Sequence, residues 1–283
     1  MKDLEDKDVC WSVCKTCQGR GKKSRRIRKK IKLKYQKAVA LFRDTKMLGL
    51  TPVPPKGHLY DCLDCKGSGL VRSGMFPEVN TKDCPHVAII GGGIGGVAVA
   101  IGCLHRGIPF TLYERDSNFE TRSQGYGLTL QQANKAIDGL GIFSLDEGVV
   151  STRHVVHATD GEMLGEWGIR KWLKVGGEKS NKRTNIHIAR QALRLALLKQ
   201  LGTASVQWNH KLIDLQQCED GVEMTFDVGG VMKAAKADVV IGADGIRSSV
   251  RKLILSEDVT PLRYLGCIVI LGICPLAKLV GLD

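Results

Sequence analysis

The strongest constraint on the fold is the stretch 86–115, which reads HVAIIGGGIGGVAVAIGCLHRGIPFTLYER. Val87–Ile90 is a short apolar run rich in β-branched residues, as expected for a strand that is buried on both faces. A glycine-rich turn follows, and then a second apolar run over 97–105, which is typical of a helix and ends just before a glycine and a proline. Phe110–Tyr113 is again strand-like. The stretch therefore predicts a strand–helix–strand unit of the βαβ type.

The glycines of the turn have the spacing G-x-G-x-x-G, and each has a separate physical role. Gly91 allows the tight turn, Gly93 lets the backbone approach a pyrophosphate, and Gly96 lets the helix pack against the strand. The helix N-terminus offers free N–H groups and the positive end of its dipole to phosphates. Glu114 follows the second strand, where a carboxylate can accept hydrogen bonds from the hydroxyls of an adenosine ribose. The pattern predicts dinucleotide binding, and a glycine-rich structural turn is the alternative.

The chain has 283 residues, of which 43% are hydrophobic, and can form one large domain or two smaller ones. Its charge is distributed unevenly. Residues 1–85 contain 20 Lys and Arg against 9 Asp and Glu, whereas the remainder contains 22 against 20. The basic character thus belongs to an N-terminal appendage. The start has no apolar signal segment, and the run 265–277 is shorter than the roughly 20 residues that a membrane span needs. A cytoplasmic location is the default expectation, and the basic run leaves a nuclear one open.

The appendage contains the pattern C-x-x-C-x-G-x-G twice, at 14–21 and 62–69. Ten cysteines without a secretory signal point to reduced thiols or metal ligands rather than disulfides. The four thiolates of the two motifs would complete a closed, tetrahedral structural zinc site, and a pair of redox-active or surface dithiols is the alternative. The double motif resembles half of the zinc-binding cysteine-rich region of DnaJ-type chaperones. The predicted metal ligands are Cys14, Cys17, Cys62 and Cys65.

Between the two motifs, residues 20–37 contain eleven Lys and Arg and no acid. The apolar residues at 31, 35, 39 and 42 indicate a helix, so an exposed basic helix or a disordered arm is the simplest interpretation. A nuclear-localisation-like patch, contact with a nucleic-acid backbone and contact with an anionic membrane surface are alternatives. Nucleic acid is not favoured because few aromatic residues are interleaved with the charges. The basic N-terminal module is the expected binding surface for a protein partner.

After Glu114, the sequence alternates between predicted strands and helices. A loop at the carboxyl end of a strand is where ligands bind in open parallel sheets, which places Asp244 at the nucleotide crevice. Arg190 lies in the first turn of a predicted helix, where a cation is unfavourable unless an anion faces it, and a plain surface position is the alternative. The predicted elements are a helix over 132–140, two strands within 151–172 around a turn at 159–161, a helix over 187–201, strands over 206–215 and 222–228, and a buried strand over 239–241.

The order of GGGIGG, YERD, GYGLTLQ, an arginine opening a helix and DVVIGADGIRSSVR resembles the single-component, class A FAD-dependent monooxygenases, which include aromatic hydroxylases and epoxidases. The resemblance covers residues 86 to about 272. It implies that FAD is the cofactor and NAD(P)H a co-substrate, and that Asp244 serves both. The implied cofactor-binding residues are Gly91, Gly93 and Gly96 at the pyrophosphate, Glu114 at the adenosine ribose, and Arg115, Arg190 and Asp244 around the site.

The resemblance also implies a reaction. Such an enzyme inserts one oxygen atom into a small organic, often aromatic, substrate through a flavin hydroperoxide, and the cofactor supplies this chemistry, so no catalytic side chain is assigned. Two other functions are open. The chain could be a non-catalytic zinc- and nucleotide-binding interaction protein, or a flavin oxidoreductase that does not oxygenate.

The expected fold is α/β: an FAD/NAD(P)-binding Rossmann-like βαβ domain with β-sheet insertions over 83–257, preceded by a small cysteine-rich zinc-binding module over 1–82. Residues 75–85 are the expected linker. Family members continue through a substrate-domain sheet to a second G-D motif, whose aspartate contacts the ribityl chain of FAD. Residues 258–283 are expected to begin that sheet, with 265–273 as an apolar strand, and the chain is expected to be truncated at its C-terminus.

Overall fold

The computed structural model describes residues 10–45, 47, 49–121, 126–131, 133–168, 185–201, 206–255, 259 and 261–270. Contacts between Cα atoms divide the chain into two compact units, Met1–Gly74 and Met75–Asp283. The division falls at the start of the expected linker 75–85, so this segment groups with the second unit. None of the helices within the described ranges is both long and apolar enough to cross a membrane.

The first unit is built from two antiparallel strand pairs and one helix, within the residues described. β1 (Cys10–Val13) pairs with β4 (Leu70–Ser73), and β2 (Lys22–Ser24) pairs with β3 (Leu59–Asp61). The backbone N–H of Cys14 donates to the oxygen of Gly69, and that of Cys62 to the oxygen of Gly21, both at 2.8 Å. The two cysteine motifs thus make equivalent bonds to each other, as expected for a pair related by approximate two-fold symmetry. The helix is α1 (Lys29–Asp44).

Helix α1 carries five of the eleven basic residues of 20–37 and buries none of its residues. Several of its apolar side chains are exposed, with Ile31 at 47% and Leu41 at 65%, and Tyr35, Val39 and Phe42 are half-buried. The prediction of an exposed basic helix is therefore confirmed. Its first turn contains no acidic residue that would balance the helix dipole.

The second unit is organised around a four-stranded parallel sheet. Its strands are, in order, β12 (Val206–Gln207), β6 (Phe110–Tyr113), β5 (Val87–Ile90) and β16 (Val239–Gly242). Helix α2 (Ile94–Leu104) connects β5 to β6, which confirms the predicted βαβ unit. The other described elements are β7 (Gly127–Leu130), α3 (Ala133–Asp138), β8 (Val149–Ser151), β9 (His154–His157), β10 (Met163–Trp167), β11 (Asn185–Ala189), α4 (Arg190–Leu201), β13 (Lys211–Cys218), β14 (Gly221–Val228), β15 (Val231–Ala237) and α5 (Ser249–Ile254).

Both faces of this sheet are covered, because successive side chains of a strand point to opposite sides. Ile89 and Leu112 belong to a core cluster with residues of α2 and α4. Ile90 and Tyr113 belong to a second cluster with Phe226 of the antiparallel sheet β13-β14-β15. The unit therefore has a layer of helices, a parallel sheet and an antiparallel sheet, as is common in α/β folds. Two smaller antiparallel sheets, β7-β11-β8 and the hairpin β9-β10, complete it.

The second unit departs from the sequence analysis in its strands and helices. The helix predicted over 187–201 begins at Arg190; the prediction was wrong for 187–189, which lie in β11 and pair with β7, and of which His187 also pairs with β8. The strand pairing outweighs the local helix pattern there. The strand predicted over 206–215 is divided between β12 in the parallel sheet and β13 in the antiparallel sheet.

Two predicted strands near the C-terminus also differ. β16 forms as predicted but is not fully buried, and Val239 is 41% exposed because the strand lies at the edge of the sheet. The apolar strand expected over 265–273 is absent from its described part, 265–270, where Leu265 is 87% exposed. A strand needs a partner for its backbone groups, and no strand within the described ranges pairs with 265–270. Positions 271–273 lie outside the described residues.

A buried histidine makes the second unit sensitive to acid. His105, at the end of α2, is 1% exposed, and neither ring nitrogen has a hydrogen-bond partner among the described residues. Burial lowers its pKa to about 4, and the neighbouring Arg106 contributes. Because the unfolded chain binds the proton first, stability is complete above the unfolded pKa of about 6.5 and falls as the pH drops towards 4.

We expect this histidine to cost about 2 kcal/mol of stability between pH 7 and pH 4. The His105→Leu variant should lose less stability over that interval, because no proton can bind at this position. Urea denaturation of both chains at pH 7 and pH 4 measures the difference. An equal loss in the two chains would contradict the assignment.

Candidate functional site

The glycine loop between β5 and α2 is shaped by contacts within the fold at two of its positions. Gly91 has φ +110°, and a Cβ atom there would lie 2.7 Å from the oxygen of Ala243. A Cβ on Gly96 would lie 1.9 Å from the oxygen of Gly91. Only glycine fits either position, which agrees with the tight turn and the close helix packing expected of them.

Gly93 differs because a Cβ atom there would meet nothing within 4 Å. Gly93 is the N-cap residue of α2, and no side chain caps this helix end. The first N–H groups of a helix have no partner inside the helix, and they lie at the positive end of its dipole. The open side of the loop is therefore a place where an anion can approach the backbone closely.

The carboxylate of Glu114 is hydrogen-bonded to the backbone of the glycine loop. Its Oε2 accepts the backbone N–H of Gly92 at 2.7 Å, and its Oε1 accepts the N–H of Asp116 at 3.1 Å. The residue is only 8% exposed. A carboxylate has about four acceptor positions, and these two bonds leave room for hydroxyl donors.

Arg194 lies beside Glu114, and the sequence analysis did not single it out. It is 6% exposed, and its Nε donates to the oxygen of Gly92 at 2.8 Å. Its Nη2 lies 3.9 Å from Oε2 of Glu114. Removing one partner of a buried ion pair commonly costs about 3–5 kcal/mol, because the other charge is left uncompensated. The sequence signal was an arginine between Leu193 and Leu197 on the apolar side of a helix.

The two arginines that the sequence analysis predicted at this site make different contacts. Arg115 is exposed, and no contact to the loop is seen among the described residues. Arg190 opens α4, and its guanidinium lies over the ring of Tyr126 at 5.4 Å and donates to the hydroxyl of that tyrosine. Arg190 is one helical turn from Arg194, so it lies on the same side of α4 as the ion pair with Glu114.

Asp244 lies in the loop at the carboxyl end of β16; its proximity to a nucleotide stays a prediction. Its Cα is 2.8 Å from the position that a Cβ on Gly91 would take. Its carboxylate accepts the hydroxyl of Ser248 and the N–H groups of Ser249 and Val250, the latter two at 2.6 and 3.2 Å. Asp244 thus ties its loop to the N-terminus of α5, next to the glycine turn.

The four predicted metal ligands of the first unit converge on one point. Their sulfurs all lie within 4.8 Å of one another, and all four residues are buried. Cys14 and Cys62 are 4.0 Å apart, and Cys17 and Cys65 are 3.7 Å apart. A tetrahedron with Zn–S bonds of about 2.3 Å has edges of about 3.8 Å, so the spacing fits zinc.

The backbone around these thiols also suits thiolates. The N–H of Gly69 donates to the sulfur of Cys65 at 3.2 Å, as expected for a glycine that folds the chain back. Burial raises the pKa of the Cys17 thiol to about 11, whereas the backbone of Cys17 lowers the pKa of Cys14. A bound cation would be needed to hold Cys17 as a thiolate near neutral pH.

A further cavity of about 430 Å³ lies in the second unit. His154 and Trp167 stack there with ring centroids 5.5 Å apart, and the hydroxyl of Ser151 lies 2.9 Å from Nε2 of His154. The cavity is of the size of small-molecule sites and combines an aromatic wall with a few polar groups. Other lining residues are Thr129, Gln131, Gly168 and Asn185.

The parallel sheet, the glycine loop with one open side and the carboxylate after β6 define a dinucleotide-binding domain of the Rossmann type. Residues 85–260 match the family model described as "FAD binding domain", and the chain belongs to this family. The match spans the glycine loop, Glu114, Arg194 and Asp244.

Several curated proteins are similar to this chain. The FAD-dependent monooxygenase sor5 of Hypocrea jecorina is 32% identical over 204 residues, which are 68% of this chain and 41% of that protein. The FAD-dependent monooxygenase thnD of Trichoderma harzianum is 26% identical over 196 residues, 69% of this chain and 45% of that protein. The chain spans less than half the length of these relatives.

Among solved structures, p-nitrophenol 4-monooxygenase PnpA from Pseudomonas putida superposes with a TM-score of 0.51 at 19% identity. The superposition covers 60% of this chain and 43% of that one. At this identity the likeness concerns the fold, and it agrees with the predicted α/β architecture.

The local geometry fits FAD. The open backbone at Gly93 and the uncapped end of α2 suit a pyrophosphate. The carboxylate of Glu114, held at the edge of the same loop, suits the adenosine ribose.

Proposed function

We propose that the second unit binds FAD and takes part in an FAD-dependent monooxygenase reaction, with NAD(P)H as reductant and a small organic substrate. The observation that carries the proposal is the open face of Gly93 beside the buried carboxylate of Glu114. The curated relatives, which are named FAD-dependent monooxygenases, support the reaction type.

In this proposal the loop residues hold the cofactor. Gly93 leaves space for the pyrophosphate at the N-terminus of α2, Gly91 and Gly96 give the loop and the helix the shape that this needs, and Glu114 accepts the ribose hydroxyls. Bound FAD would supply electron transfer from the nicotinamide and activation of O2. The protein binds and orients the cofactor and keeps water from the reacting groups.

Three further residues are proposed at the edge of this site. Arg190 would offer positive charge from the start of α4, and Tyr126 holds its guanidinium in place. Asp244 would act mainly by fixing the loop that packs against Gly91, since its oxygens already accept three hydrogen bonds. Arg115 is exposed and remains free to turn towards a bound nucleotide.

The cavity around His154 and Trp167 supports a small organic substrate. A volume of about 430 Å³ accommodates a molecule of one or two rings, and the indole offers a flat apolar surface. The hydroxyl and amide groups of its lining would orient polar substituents.

For the first unit, we propose a structural zinc ion bound by Cys14, Cys17, Cys62 and Cys65. The convergence of four buried sulfurs at tetrahedral spacing supports it. All four positions would be filled by protein ligands, so the ion would stabilise the fold rather than activate water.

The visible absorption spectrum of the purified chain tests the proposed function first. We expect flavin bands at close to one FAD per chain, directly or after addition of FAD, followed by NADH or NADPH oxidation coupled to oxygen uptake. A folded chain that takes up no FAD would contradict the proposal. FAD binding with NAD(P)H oxidation but no oxygen transfer to any organic compound would instead indicate a flavin oxidoreductase that does not oxygenate.

A further inference from the structure

Arg194 is a buried cation whose contacts converge on the glycine loop. Its side chain has a relative exposure of 7%, although it belongs to a helix, α4, that is remote in sequence from that loop. Its Nε reaches the carbonyl oxygen of Gly92 at 2.8 Å across 102 residues of sequence. Its Nη2 lies 3.9 Å from Oε2 of Glu114.

Two aromatic rings hold the guanidinium in this position. It lies over the ring of Phe119 at 5.2 Å and over that of Trp208 at 5.7 Å from the ring centroids. Stacking of this kind suits the flat guanidinium and not the ammonium group of lysine. The orientation of the arginine is thus fixed independently of any ligand.

Arg194 and Glu114 hold the same residue from two sides. Nε of Arg194 donates to the carbonyl oxygen of Gly92. Oε2 of Glu114 accepts the backbone N–H of the same glycine at 2.7 Å. The positive charge next to Oε2 and the two N–H donors restrict how the carboxylate can rotate. The acceptor positions that remain therefore point in a set direction at the edge of the loop.

We propose that Arg194 is a positioning residue for recognition of the adenosine ribose. This inference rests on the proposed binding of FAD. Arg194 acts through Glu114 and Gly92: it orients the carboxylate that accepts the 2′-hydroxyl and fixes the loop beside it. Arg194 should therefore matter more for nucleotides that carry this hydroxyl than for those that lack it.

The test compares ADP with 2′-deoxy-ADP as competitors of FAD on the full chain. For the wild type we expect ADP to bind about tenfold more tightly, because a buried acceptor left without its hydroxyl donor is costly. In Arg194→Lys and Arg194→Met the preference should fall below about threefold. Arg106→Met is the matched control, since Arg106 also donates to a glycine carbonyl, that of Gly102 at 2.9 Å, but is exposed; its preference should stay unchanged.

The ratio of the affinities for ADP and 2′-deoxy-ADP separates a positioning role of Arg194 from a general structural role. Equal weakening of both nucleotides, with the tenfold preference intact, would overturn the proposal. If Arg194→Met does not fold, Arg194→Lys decides alone, because it keeps a positive charge opposite Glu114. A wild-type chain that binds neither FAD nor ADP contradicts the proposed function itself. A wild type that binds both, with variants that keep the preference, contradicts only the role of Arg194.

Discussion

The Gly93→Val variant is expected to bind FAD at least about 100-fold more weakly than the wild type, a loss of about 2.8 kcal/mol. Gly93 is the N-cap of α2, and a Cβ there would point into open space. No described atom lies within 4 Å of that Cβ, so folding should be preserved. The isopropyl group would occupy the space that the pyrophosphate needs next to the helix N-terminus.

The measurement is equilibrium binding of FAD, followed by quenching of flavin fluorescence, with a thermal melt to check folding. Gly165→Val is the matched control. Gly165 lies in β10 and also has nothing within 4 Å of its Cβ position, but it is outside the glycine loop. We expect it to retain FAD. Unchanged affinity in Gly93→Val would show that the loop is not the cofactor site.

The βαβ unit could be predicted because its determinants are local in sequence. The apolar run of β5, the glycines and the apolar run of α2 are contiguous, and each needs only its own neighbours to define the turn. The tasks expected of Gly91 and Gly96 follow from the same local geometry, and the contacts of both agree with them. The cysteine motifs are equally local, although their pairing across 48 residues rests on the metal chemistry.

Arg194 could not be placed in the same way, because its partners are distant in sequence. A charged residue next to Leu193 on a buried helix face signals a buried partner. It does not say which one, and Gly92 lies 102 residues away. The contacts of Asp244 depend on residues that are nearer in sequence. The serines at 248 and 249 indicate a helix N-terminus, and a nearby carboxylate can accept hydrogen bonds from its free N–H groups.

The start of α4 shows how tertiary context changes a local pattern. Ile188 was assigned to the apolar side of the predicted helix together with Leu193 and Leu197, yet it lies in β11 and is 2% exposed. β11 is the central strand of its sheet, so its backbone bonds on both sides. Those bonds depend on β7 and β8, which the sequence of 187–201 does not contain.

Zinc content is expected to fall from one ion per chain to nearly none in the Cys62→Ser variant. Cys62 is completely buried, and its sulfur lies 4.0 Å from that of Cys14. A serine oxygen is a poor replacement for a thiolate, and three remaining sulfurs leave the tetrahedron open. Structural zinc sites contribute about 10–16 kcal/mol to folding in small domains, so the first unit should lose its structure with the ion.

The two compact units make this loss separable from cofactor binding. Zinc analysis, limited proteolysis and FAD titration of the same sample should show cleavage within residues 10–74 and unchanged FAD affinity. Cys10→Ser is the matched control: Cys10 is in the same unit, half-buried and outside the cluster of four. It should keep its zinc. A Cys62→Ser chain with full zinc content would rule out the four-thiolate site, and loss of FAD binding in that chain would show that the units depend on each other.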